Sequence, residues 1–476
     1  MMKTFVAKEV RNNILSFRFL ASFVILFIVV AVTATVLAGD YLKRLDDYSQ
    51  RQAEIERYLR SYAHFNRIGG VLRATQPPVP FEALVRGLTA GGNMEEFDND
   101  PLPVMFPLID LTFIVTILVS LIALILSYDA VCGEKEDGTL KLMLANGLAR
   151  SKIIVAKFAG GVLTLVGPFL VSLAAGMLII VLHPRIDWPA ADWGALGLIA
   201  VGAILYVSVF YLIGTLISSV HRSSASSIMT SLFVWVLLIL VVPNLSPYIA
   251  SFLSPAPSRI KVAREVSRLT DVDRDELGRK LMKEYRGEVL KQYPVLGERL
   301  SEAEVKRRVA EDPEYRKAYE ADRAAEDRAW KEANRIQDAK ADVLREDRQR
   351  KEAAQTDLAR SISMATPLAD FSYLATDLSS TGTRNMVHFG VLRGAWESRF
   401  HGDYRTKKWA ELLAKDPTAD KWETPIDMAD GPRFRYVEEG LGGRVHAALQ
   451  PFAVLIGYCV ALFAAAYIAF IRYDVR

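Results

Sequence analysis

Residues 107–127 read PLIDLTFIVTILVSLIALILS, residues 158–182 read FAGGVLTLVGPFLVSLAAGMLIIVL, and the charged run GEKEDGTLK lies between them at residues 133–141. The first apolar run contains one charged residue, Asp110, and the second contains none. Both exceed the roughly 20 residues that a helix rising about 1.5 Å per residue needs to cross about 30 Å of hydrocarbon. The pattern therefore predicts two membrane-spanning helices with a charged, turned element between them.

Four more uncharged apolar runs extend this pattern to six spans, which we place at residues 19–38, 106–127, 153–182, 193–217, 224–246 and 451–471. Unpaired backbone groups are costly in lipid, so each span should be a helix, and the short alternating strands of a barrel are not seen. The predicted fold class is an α-helical polytopic membrane protein with six transmembrane helices. An N-terminal interfacial helix at residues 1–18 and a mostly helical extracytoplasmic domain complete it.

The basic residues of the short loops predict the orientation of the chain. Lys and Arg cluster before the first span and between the second and third spans, whereas Arg185 is the only basic residue in the loop between the third and fourth. Because cytoplasmic loops carry the excess of Lys and Arg, both termini and residues 128–152 should face the cytoplasm. The longer segments 39–105 and 247–450 then lie outside.

The second outer segment is densely charged, and the chain as a whole has 24% charged residues but a net charge of only +3. This balance gives no reason to expect nucleic-acid binding. Residues 301–360 mix both signs of charge without glycine, which favours a long solvated helix or helical hairpin over disorder. Further along, Trp396, Trp409 and Trp422 indicate a compact subdomain that returns to the membrane.

The search for catalytic motifs gives none of the patterns of zinc proteases, serine hydrolases or paired CxxC sites. Gly133 and Gly138 have the spacing of two P-loop glycines, but Thr139 and Leu140 stand where the phosphate-binding Lys and its Ser or Thr are needed. We therefore expect no catalytic residue, no metal site, no bound cofactor and no ATP hydrolysis by this chain. A membrane-bound enzyme is a third possible function, but the sequence contains no catalytic motif that supports it.

Residues 134–144, followed by Arg150, Ile153, Ile154 and Lys157, resemble the ABC-2 family of ATP-binding-cassette transporter permeases. That family has an acidic pair, Gly-Thr-Leu, apolar residues, a turn, then Arg and Lys; it often has Pro in the turn, where this chain has residues 146–149, NGLA. The large segments after spans one and five are similar to a subgroup of these permeases with extracytoplasmic insertions. This second likeness is weaker than the first.

The resemblance implies that residues 128–152, which we call the coupling element, dock on a cytosolic ATPase. Carried over by motif position, the contact residues would be Glu134, Glu136, Gly138, Thr139 and Leu140. It further implies a multi-pass protein of the bacterial cytoplasmic membrane, surrounded by lipid and paired with a second permease, identical or different. Two ATPase subunits would bind the Mg-ATP.

The expected function is that of the permease subunit of an ABC transporter, more often an exporter in this family. An alternative is mechanotransmission, in which ATP hydrolysis moves the outer domain to act on an envelope partner and nothing crosses the membrane. The polar residues that could line a path or an interface in the spans are Asp110, Asn244, Tyr206 and Tyr211. For Asp110, a helix N-terminus at the interface is an equal explanation.

Overall fold

The apolar runs are helical in the computed structural model, which describes residues 2–61, 63–87, 109–145, 149–298, 300–415, 419 and 423–472. Within these residues, six helices are long and apolar enough to cross a bilayer. The predicted fold class, an α-helical polytopic membrane protein, is confirmed.

The helices are numbered here in chain order. Those up to the fifth span are α1 (Met2–Ile14), α2 (Phe17–Ser61), α3 (Ile68–Val71), α4 (Leu111–Phe113), α5 (Ser120–Ser127), α6 (Cys132–Glu136), α7 (Thr139–Ala145), α8 (Arg150–Val181), α9 (Ala190–Val220), α10 (Ser224–Val236) and α11 (Val242–Leu253). The later ones are α12 (Arg259–Ser267), α13 (Arg274–Gln292), α14 (Glu302–Glu311), α15 (Pro313–Ser363), α16 (Pro367–Leu378), α17 (Thr383–Glu397), α18 (Arg405–Lys415) and α19 (Leu441–Ile471). The π-helical stretches Ile114–Val119 and Leu237–Val241 join α4 to α5 and α10 to α11.

Several helices extend beyond the apolar runs from which they were predicted. The first span does not end near residue 38: α2 continues to Ser61, because residues 39–61 contain helix-forming Leu, Lys, Arg, Glu and Gln and no proline. The sixth begins at Leu441, so that Pro451, the predicted start, lies inside α19. Residues 106–108 of the predicted second span and 88–105 of the predicted outer segment lie outside the described residues.

The chain divides into two compact units, Met1–Pro243 with Ser363–Arg476, and Asn244–Ile362. The predicted outer domain 247–450 is therefore split between them. In the first unit α9 is central, packing against α5, α8, α16 and α19. We call the end of this bundle that carries α6 and α7 the coupling end, and the opposite end, where α9 begins, the distal end.

Each end of the first unit has its own apolar cluster. At the distal end of α2, Ile55 and Leu59 are buried with Trp396, Phe400 and Trp409, which gives the subdomain expected from the tryptophans. Trp422 lies outside the described residues. At the coupling end, a smaller cluster contains Val131, Leu140, Ile153, Ile154 and Phe470.

The second unit is a helical hairpin, as the charge pattern indicated. The side chain of Arg286 on α13 pairs with Asp322 on α15 at 3.0 Å, and Gly278 lies under the ring of Trp330, so α13 and α15 run antiparallel. The seam on α15 is formed by small buried residues, Ala318, Ala325, Ala329, Ala333 and Ala341. Asp312 caps α15 by accepting from the Glu314 backbone N–H at 2.9 Å.

Candidate coupling interface

The coupling element contains two short helices, α6 and α7, joined by a turn at Gly138. Gly138 has a φ of +71°, and a Cβ placed on it would meet no atom within 4 Å. The left-handed backbone, rather than a shortage of space, is what favours glycine here. The two short helices can thereby leave the second span and enter α8 without a long loop.

Glu134 binds into the bundle. Its Oε1 lies 2.7 Å from the ammonium of Lys157 on α8, and Lys157 also reaches Glu9 of α1 at 3.6 Å. The Lys157 side chain is only 4% exposed, so its charge is balanced by these two carboxylates rather than by water. This ion cluster connects α1, α6 and α8.

Lys135, the next residue, binds the end of a different helix. Its ammonium donates to the carbonyl oxygens of Ser219 at 2.5 Å and His221 at 3.1 Å, where α9 ends. The last carbonyls of a helix have no partners within the helix and carry partial negative charge, so a cation is favourable there. Lys135 therefore caps the fourth span.

Glu136 then binds the start of the fifth span. Its carboxylate accepts from the Ser224 backbone N–H at 3.1 Å and from the Ser224 hydroxyl, at the first residue of α10. A carboxylate at a helix N-terminus is favoured by the free N–H groups and the helix dipole. Since successive helical side chains point about 100° apart, three neighbouring residues can bind three different helices.

The remaining predicted contact residues differ in their exposure. Leu140 is 1% exposed and belongs to the apolar cluster at the coupling end. Thr139 is exposed, with its hydroxyl donating to the Glu134 carbonyl at 3.4 Å. The structure thus brings Glu134, Glu136, Gly138, Thr139 and Leu140 together on one element, and directs Glu134 and Leu140 inward. Their role as ATPase contacts stays a prediction.

The outward face of the coupling element contains residues that the motif did not single out. Asp137 and Lys141 are exposed, and Leu142 is 65% exposed. An exposed leucine beside two opposite charges suits docking into a groove with an apolar floor and a polar rim. The alternation of Leu140 and Leu142 around Lys141 was the available signal, since two leucines at this spacing cannot share one helix face.

Tyr206 and Tyr211, two of the predicted path residues, bind different helices. The Tyr206 hydroxyl donates to the Thr116 carbonyl at 2.9 Å, and the Tyr211 hydroxyl donates to the Lys157 carbonyl at 3.3 Å. Both tyrosines are buried between helices, whereas Asn244 is exposed on α11. A role of these residues along one path stays a prediction.

Asp110 caps the second span at the distal end. Its carboxylate accepts from the Phe113 N–H at 2.8 Å and from the Arg86 N–H at 3.1 Å. The geometry is that of a helix N-cap, which is the structural explanation considered from the sequence.

Six helical spans and a charged element bonded to the ends of three of them define a permease-type membrane protein. The chain belongs to the ABC-2 family of transporters, since the profile of the family described as "ABC-2 family transporter protein" matches residues 4–475. With its six helices long and apolar enough to cross a bilayer among the described residues, it is a multi-pass membrane protein.

Two relatives are named "Probable ABC transporter permease protein NosY". The protein from Pseudomonas aeruginosa is 34% identical over 132 residues, which are 28% of this chain and 48% of the relative. The protein from Stutzerimonas stutzeri is 34% identical over 131 residues, with the same coverage. The matched region thus spans about half the length of these relatives.

Proposed function

We propose that this chain is the permease subunit of an ABC transporter, driven by two separate cytosolic ATPases that bind Mg-ATP and dock on the coupling element, in a complex with a second permease. The coupling end then faces the cytoplasm of a bacterial inner membrane, together with both termini. The observation that carries the proposal is the bonding of Glu134, Lys135 and Glu136 to three different helices.

This bonding gives the ATPases a means of moving several spans at once. A displacement of α6 acts on α1 and α8 through the Glu134–Lys157–Glu9 cluster, on the end of α9 through Lys135, and on the start of α10 through Glu136. Packed helices shift as units when a docked element moves, so closure of the partner ATPases reaches four helices together. No residue of this chain takes part in hydrolysis.

Export is the direction we propose, with the spans of two permeases forming the route. The fifth and sixth spans are each only 17% buried, so much of their apolar surface is free for lipid or for the second permease. Mechanotransmission is the second candidate. It is favoured by the hairpin unit Asn244–Ile362, whose 51-residue helix α15 offers a large charged surface to an envelope partner.

Replacing Leu142 tests the docking face. Burial of an exposed leucine stabilises a complex by about 1.5–3 kcal/mol, and each 1.4 kcal/mol corresponds to roughly tenfold in affinity. We expect Leu142→Asp to weaken association with the cognate ATPase at least tenfold, and Leu142→Met to retain it, in co-purification and in permease-stimulated ATP hydrolysis.

The two functions are separated by reconstituting the complex in lipid vesicles. Transport of a cargo into vesicles with outward-facing ATPases supports export. ATP-dependent movement of a label on α15 without any transport supports mechanotransmission. If Leu142→Asp binds and stimulates the ATPase like the unaltered chain, α7 is not the docking face and the proposal fails.

A further inference from the structure

Helix α16 carries a buried carboxyl group that the coupling interface does not use. Asp370 is 0% exposed, and both of its oxygens are buried without a hydrogen-bond partner among the described residues. No other described carboxyl group has both oxygens in this condition. Buried polar groups are normally bonded, so this exception calls for a physical reason.

The apolar neighbours of Asp370 on α16 pack tightly against α9. The ring of Phe371 packs on Tyr206 of α9 with centroids 5.3 Å apart. Leu374 fills the space beside Gly202, where a Cβ would lie 2.7 Å from its Cδ2. This close approach shows that α16 is tightly seated against α9.

Within the part of the chain that the structure describes, no opposite charge pairs with the Asp370 carboxyl. The Arg444 guanidinium pairs with Asp192 at 2.8 Å and lies near the carbonyl of Leu378, eight residues or about 12 Å along α16. Asp377 lies at that same end of α16. At the start of α17, Arg384 pairs with Glu439.

The other titratable groups on the packed helices are uncharged at neutral pH or remote from Asp370. Tyr206 on α9 donates its proton to a backbone carbonyl, and Tyr458 on α19 is a phenol. The Cys459 thiol donates to the Leu205 carbonyl, and His446 is exposed. Residues 111–119 and 237–241, which also meet α16, contain no ionisable side chain.

An ionised carboxylate in such a place costs many kcal/mol, whereas the neutral acid costs only the loss of its hydrogen bonds to water. We propose that Asp370 is a proton-binding site that holds α16 in its seat. The carboxyl is neutral while α16 is packed on α9 and α19, and release of its proton to water drives α16 out of this apolar surrounding. The proposal is independent of ATPase docking.

The expected pH dependence has a definite sign. Burial raises the pKa of Asp370 to about 7, above the value of about 3.9 for an exposed aspartate. Below about pH 4 the Asp370 carboxyl is protonated in both the folded and the unfolded chain, and its contribution to stability is complete. As the pH rises from about 4 to about 7, the unfolded chain loses this proton first, so the free energy of unfolding falls. The seat of α16 should therefore loosen as the pH rises through neutrality.

Infrared spectroscopy of the full chain in lipid nanodiscs tests the protonation state. At pH 6 we expect a protonated-carboxyl C=O band that is lost in Asp370→Asn and is kept in Asp187→Asn, a change at an exposed carboxyl of the loop before α9. The band should disappear as the pH is raised to 8. An unchanged spectrum in Asp370→Asn shows that Asp370 is ionised, and the proposal is then wrong.

A cysteine at Ala375, a residue of α16 that is 0% exposed, tests the movement. Between pH 6 and pH 8, the rate at which an impermeant maleimide labels this cysteine should increase at least tenfold more in the chain with Asp370 than in the Asp370→Asn background. That background corrects for the ordinary increase of thiolate with pH. Asp370→Leu serves in its place if the asparagine variant does not fold. Equal pH dependence in both backgrounds overturns the proposal.

Discussion

Lys157 decides whether the coupling element is attached to the third span. Its ammonium is nearly buried and is shared by Glu134 and Glu9, which come from elements far apart in the sequence. The motif includes Lys157 but gives no partner for its side chain. Such partners cannot be predicted from spacing, because α1 reaches α8 only through the tertiary fold.

We expect Lys157→Met to destabilise the chain by about 3 kcal/mol, because breaking a buried ion pair from one side leaves the carboxylates uncompensated. Thermal unfolding in detergent measures the effect. Combining it with Glu134→Gln and Glu9→Gln should recover most of the loss, since no charge then remains unpaired. If Lys157→Met is as stable as the unaltered chain, the cluster is solvated and does not hold α6.

At the scale of elements, the spans were predictable and their contacts were not. Apolar runs define helices because lipid leaves the backbone no other partner. Which residues of two neighbouring helices come into contact depends on the sizes and shapes of their side chains. Gly161 on α8 lies against the ring of Tyr211 on α9, where a Cβ would approach ring carbon Cζ to 2.0 Å, whereas Gly167 on the same helix has no neighbour within 4 Å.

These two glycines form a matched pair. Gly161→Ala should destabilise the chain by about 1–3 kcal/mol, because it forces α8 and α9 apart. Gly167→Ala should be neutral or stabilise it by up to about 1 kcal/mol, because alanine is the better helix former. Parallel thermal unfolding of both variants measures the difference. Equal effects would mean that α8 and α9 do not pack through Gly161.

The same limit applies to the candidate site. The sequence located the coupling element between the second and third spans by its motif. It could not show that Leu140 faces inward and Leu142 outward, since the rotation of α7 depends on the left-handed turn at Gly138 and on packing against Ile153 and Ile154. Asp370 was missed because a single Asp after Pro367 has the pattern of an ordinary first helical turn.

The proposed orientation of the whole chain places α15 on the outer side of the cytoplasmic membrane. We expect a cysteine at Val343, which is 66% exposed, to react with an impermeant maleimide in intact cells. A cysteine at Ala325, 8% exposed in the seam, should react far more slowly on the same helix. Labelling of Val343→Cys only after lysis would reverse the orientation and place the coupling end outside.

Helix α2 runs unbroken from Phe17, next to α1, to Ser61, beside the distal tryptophan cluster. At about 1.5 Å per residue it is about 67 Å long, more than twice the hydrocarbon thickness. A tilt of about 5° about its first turn would carry its last turn about 6 Å sideways. α2 therefore acts as a lever whose long arm ends beyond the hydrocarbon, so a rotation too small to open the bundle at its first turn is already a displacement of several ångströms at its last turn.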